Sequence, residues 1–60
     1  MSFDEGLGLF KSAHYKASSE QFAAITKTDE NNHKAWNALG ICLSKLNQFD
    51  DAFSCFDKAL

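Results

Sequence analysis

The sequence predicts an all-α fold of four helices, arranged as two tandem antiparallel helix-turn-helix hairpins. Three observations carry that expectation. Two apolar stripes of helical period follow one another in the second half, only two residues separate them, and the first half repeats the same size pattern 34 residues earlier. In the first stripe Trp36, Leu39, Gly40, Leu43 and Leu46 fall at i, i+3, i+4, i+7 and i+10, on one side of a helix. Phe49, Ala52, Phe53, Phe56 and Leu60 repeat the rhythm. Asn47-Gln48 between them leaves room only for a tight reversal, so the two helices must lie antiparallel with their stripes together. Gly40 and Ala52, each nearly without a side chain, are expected where the two helices come closest.

A Trp, then Leu-Gly three residues on, a bulky residue three later, and alternating aromatic and small residues in the next helix resembles the tetratricopeptide repeat, a 34-residue helix-turn-helix unit. Trp36, Leu39, Gly40, Leu43, Phe49, Ala52, Phe56 and Ala59 stand where that signature has its large and small residues, across residues 35–60. The resemblance implies a solenoid fragment, with residues 31–60 as one repeat that ends without a capping helix.

Residues 1–30 read as a degenerate earlier copy. Sliding the chain by 34 aligns Gly6 with Gly40, Leu9 with Leu43, Lys11 with Lys45 and Phe22 with Phe56, four identities in 26 pairs. Leu7 with Ile41, Tyr15 with Phe49 and Ser18 with Ala52 are conservative pairs. Ser2, Glu5 and Ile25 depart from Trp36, Leu39 and Ala59, as suits an outermost repeat with one side in water; a disordered start is the rival explanation for residues 1–4. The expected helices are residues 2–12, 15–27, 32–46 and 48–60. Asn31 or Asn32 can cap the third helix, and Asp50-Asp51 suit the positive end of the fourth helix's dipole. Asn47 fits the left-handed backbone that ends a helix, whereas its counterpart Ala13 accepts that conformation poorly, which points to a less rigid first turn.

Composition narrows the class further. Sixty residues make one domain at most, 45% of them apolar, with six Phe and no Pro, a balance that fits a small helical core and not disorder. A formal charge of −2 and the absence of Arg argue against nucleic acid. No apolar run reaches the length of a membrane span and no signal segment opens the chain, so the reading is a soluble, cytoplasmic protein. Cys42 and Cys55 are expected as buried free thiols, and with His14 and His33 they lack metal-ligand spacing. Both histidines read as exposed polar residues, and Trp36 reads as core. Gly6-Leu7-Gly8 lacks the preceding strand of a nucleotide loop, and no nucleophile-base pair is visible. Neither a catalytic role nor a cofactor is expected.

The resemblance implies a scaffold for protein-protein interaction. Members of the family stack hairpins into a right-handed superhelix whose inner surface, lined by the first helix of each hairpin, holds partner peptides or helices. Carried over, the inner-facing residues are Phe3, Leu7, Phe10 and Lys11, then Lys34, Asn37, Ile41, Ser44 and Lys45. An apolar strip edged by Lys is a plausible groove for a partner segment. Chaperone-tail binding is not expected, because Phe3, Leu7 and Ala38 replace the Lys and Asn residues of the carboxylate clamp. The alternative is self-assembly within a longer repeat protein, by hairpin swapping or end-to-end stacking through Phe53, Phe56 and Leu60 on the last helix.

Overall fold

The computed structural model describes residues 2–60. They form α1 (Phe3–Lys11), α2 (Tyr15–Thr28), α3 (His33–Lys45) and α4 (Phe49–Ala59), with no strand among the described residues. Each helix packs on its neighbour in the chain, and the molecule is a slab of 26 × 24 × 13 Å. The all-α hairpin architecture expected from the sequence is therefore the observed one.

Helix starts follow from local chemistry. Ser2 Oγ accepts a hydrogen bond from the Glu5 amide at 3.1 Å, so Ser2 caps α1 from outside the helix. Met1 lies outside the described residues, while Phe3 and Asp4 are helical and do not bear out the rival reading of a disordered start. Asn32 caps α3 in the same way, its Oδ1 accepting from the Ala35 amide at 3.0 Å. Asp4 and Glu5 in α1, and Asp50 and Asp51 in α4, place negative charge in the first turn, where the helix dipole favours it.

The two hairpin turns are the same structure built twice. Ala13 and Asn47 both have φ of 63°, the left-handed region. The next residue closes each turn: the His14 amide donates to the Leu9 carbonyl at 2.9 Å, and the Gln48 amide to the Leu43 carbonyl at 2.8 Å. Together with the Ala13-to-Phe10 and Asn47-to-Ser44 bonds, this is the paired pattern by which a helix commonly ends on a left-handed residue. Asn tolerates that conformation, but an alanine Cβ is strained in it by about 1–2 kcal/mol. Ala13→Gly is therefore expected to raise stability by about 0.5–1 kcal/mol, after the extra backbone entropy of glycine is subtracted. A urea midpoint unchanged or lowered by the substitution would contradict this.

The core is small and centred on α2 and α3. Phe22, Leu39, Cys42 and Cys55 form its buried cluster, with Phe3, Leu7, Phe10, Ile25, Trp36, Ala38 and Leu43 packed around it. The glycines make room for rings: a Cβ on Gly6 would stand 2.6 Å from Phe22 Cε1, and one on Gly40 would stand 2.6 Å from Phe56 Cε1. Gly40 thus receives Phe56, while Ala52 is fully buried on the same helix. Ser18 adds a polar pin. Its hydroxyl donates to the Gly6 carbonyl at 2.7 Å and accepts from Cys42 Sγ at 3.4 Å, which ties α1, α2 and α3 together where no water reaches.

The α4 stripe is divided. Ala52 and Cys55 are buried and Phe56 and Ala59 half-buried, but Phe49, Phe53 and Leu60 are 53%, 63% and 99% exposed. The expectation that Phe49 packs against the third helix is corrected. On a helix Phe49, Phe53 and Leu60 lie roughly 90–125° from the centre of the Ala52, Cys55 and Ala59 row, and α3 covers only that row and the Phe56 flank.

Candidate partner-binding surface

α1 and α3 both flank Phe22, and their facing residues produce an apolar cleft. Leu7 and Phe10 from α1, Ala38 and Ile41 from α3, and the Phe22 ring below line it. Phe10 is held by an edge-on contact with Tyr15, ring centroids 5.3 Å apart, which fixes the wall on the α1 side. Ile41 is 38% exposed and forms the lip.

The residues expected to face a partner therefore do not all fall together. Leu7, Phe10 and Ile41 share this cleft. Phe3 is half-buried, its ring tilted on Phe22 at 5.2 Å, so it supports the floor instead of lining the opening. Lys34 and Asn37 line a different cleft, between the start of α3 and the end of α4, together with His33, Phe56, Ala59 and Leu60. Lys11 and Lys45 are exposed at the ends of their helices, and Ser44 is half-buried. The sequence reading missed Ala38 and Phe22 as lining residues. Ala38 stands three residues before Ile41, a spacing that could have shown it, but Phe22 enters from α2 and only the packing of three helices brings it there.

Trp36 is half-buried at the edge of the core, where the sequence placed it inside. Its indole Nε1 donates to the Glu30 carbonyl at 2.8 Å, so its polar edge secures the link between the hairpins. Lys58 Nζ lies 5.3 Å from the ring centroid, a cation-π contact from α4. The hollow around it is lined by Thr26, Lys27, Glu30, Trp36 and Lys58.

Cys42 and Cys55 are buried and free. Burial pushes both thiols up from their ordinary range, with Asp51 adding to the effect at Cys55, so both remain protonated near neutral pH. Among the described residues no group of three or more His, Cys, Asp or Glu side chains could hold a metal ion, and no helix is long and apolar enough to cross a membrane.

Two antiparallel hairpins packed one on the next is an arrangement that helical-repeat proteins use. Residues 33–60, the whole of α3 and α4, match the family model of the tetratricopeptide repeat. Repeats of this family mediate protein-protein interaction. No curated protein and no solved structure gives a significant match to the chain.

Proposed function

We propose that the chain is a non-enzymatic interaction module whose α1/α3 cleft anchors an apolar side chain of a partner segment. The carrying observation is the convergence of Leu7, Phe10, Ala38 and Ile41 over the Phe22 ring. Lys11 and Lys45 are exposed at the ends of the same two helices and bias the choice toward segments with acidic residues beside the anchor. Residues 1–30 serve here as a degenerate first repeat. Supporting this, Phe22 meets Gly6 as Phe56 meets Gly40, each pair in the same register 34 residues apart, and the two turns share one hydrogen-bond pattern.

Selection from a displayed random-peptide library tests the reading. Peptides with one large apolar residue next to Asp or Glu are expected, and Ile41→Asp should weaken their binding at least about tenfold, because it places a charge at the apolar lip. Since Ile41 is partly exposed, the variant should keep the helical circular-dichroism spectrum of the parent. Selected peptides that bind the Ile41→Asp chain as tightly as the parent would remove the cleft from consideration.

A further inference from the structure

The α1/α3 cleft is small, and its size carries information because its walls cannot move far. Leu7, Phe10, Phe22, Ala38 and Ile41 enclose about 70 Å³, and no polar atom reaches the lining. An apolar cavity of about 150 Å³ holds a benzene molecule, so in proportion this cleft has room for about three carbon atoms. That is the branched end of a Leu side chain, or about half of a phenyl ring.

Entry of a whole ring requires a wall that yields. The Phe22 ring rests against the α1 backbone at Gly6 and against the Phe3 ring, centroids 5.2 Å apart. Phe10 is braced by Tyr15, Leu7 packs on the buried core, and Ala38 has no side-chain rotamer to change. Ile41, exposed at the lip, is the loosest of the five, yet its branched Cβ leaves it one dominant rotamer on a helix.

We propose that this cleft, read as the partner site, selects an aliphatic anchor of Leu size and excludes an aromatic one, with Ala38 setting its depth and Ile41 its width. The claim rests on the function proposed above and adds the class of side chain. Hydrophobicity by itself predicts the opposite order, because Phe carries more apolar surface than Leu. A ring laid across the mouth leaves the bottom of the cleft empty, so the Phe22 and Ala38 surfaces lose their contacts. In an apolar pocket a misfit of one methylene changes selection by about tenfold or more.

Methyl spectra of the isotope-labelled chain, titrated with a matched pair of short peptides, test the proposal. One peptide has a single Leu flanked by Asp in an Ala/Ser background, and its twin has Phe in place of Leu. The Leu peptide is expected to shift the Leu7, Ala38 and Ile41 methyl signals and to bind at least about tenfold tighter than the twin. Ile41→Ala widens the mouth at an exposed position, so the Phe twin should gain and the Leu peptide lose until the two bind about equally. Ala38→Leu fills the cleft from one wall and should weaken the Leu peptide at least about tenfold, with the helical circular-dichroism spectrum retained. Where that variant disturbs the packing of α3, Ile41→Ala still decides. A Phe twin that binds as tightly as the Leu peptide while shifting the same methyl signals would overturn the selectivity and leave the site standing. A preference unchanged by Ile41→Ala would overturn it too. Absence of shifts at Leu7, Ala38 and Ile41 with either peptide would remove the cleft as a binding site, and the selectivity with it.

Discussion

Phe22→Ala is expected to remove a large part of the chain's stability at 25 °C, on the order of half or more. Phe22 is 1% exposed, carries the floor of the α1/α3 cleft, and touches Gly6 and Phe3 from one position in α2. Truncating a buried Phe costs about 3–5 kcal/mol, as transfer free energy and cavity together. At about 0.05–0.15 kcal/mol per residue, 60 residues hold only about 3–9 kcal/mol in total. Phe56→Ala supplies the internal comparison. It stands in the same register of the second hairpin, but its ring is only half-buried, so the loss should be roughly half as large. Far-UV circular dichroism with urea unfolding reads both. A Phe22→Ala chain that keeps a cooperative transition within about 1 kcal/mol of the parent would refute this view of the core.

Gly6→Ala and Gly40→Ala are expected to part company, although the sequence presents them as equivalent. Each places a Cβ 2.6 Å from a phenyl Cε1, and each gains about 1 kcal/mol of helix propensity. What separates them is whether the ring can yield. The Phe22 ring is buried beneath the cleft walls and packed among its core neighbours, so relieving the clash displaces α1 or those neighbours, at about 1–3 kcal/mol of overpacking. Separation at Gly6 also stretches the Ser18-to-Gly6 hydrogen bond. Phe56 has an open side, facing the α3/α4 cleft, toward which its ring can swing. The expected outcome is a net loss of about 1–2 kcal/mol for Gly6→Ala and a change within about 0.5 kcal/mol for Gly40→Ala. Equal losses, read from denaturation midpoints, would mean that the second hairpin is packed as tightly as the first.

Much of the fold was legible before any coordinate. The stripes of Trp36 to Leu46 and Phe49 to Leu60, the two-residue reversal at Asn47-Gln48 and the cap at Asn32 are local features, and the helices begin and end within two residues of where those features put them. The surface proposed for binding was legible only in part. Leu7, Phe10 and Ile41 meet as the repeat pattern implies, while Lys34 and Asn37 belong to another cleft and Phe3 to the core. Ser18 shows the same limit. Its residue type fits the small position of the pattern, but its role as a bridge between the Gly6 carbonyl and Cys42 exists only once three helices converge.

By itself the sequence determined which segments are helical, how the chain reverses between them and that the hairpin occurs twice, because periodicity, capping and turn conformation are short-range properties of neighbouring residues. Only the tertiary structure decided which apolar side chains are covered. Phe22 and Phe56 share a register, yet Phe22 lies fully buried within the α1–α3 core while Phe56 keeps an open side, and Phe49, Phe53 and Leu60 face outward although they continue the same rhythm. Burial is a property of what stands opposite a residue, and that is set by the packing of whole helices and not by the residue's own place in the pattern.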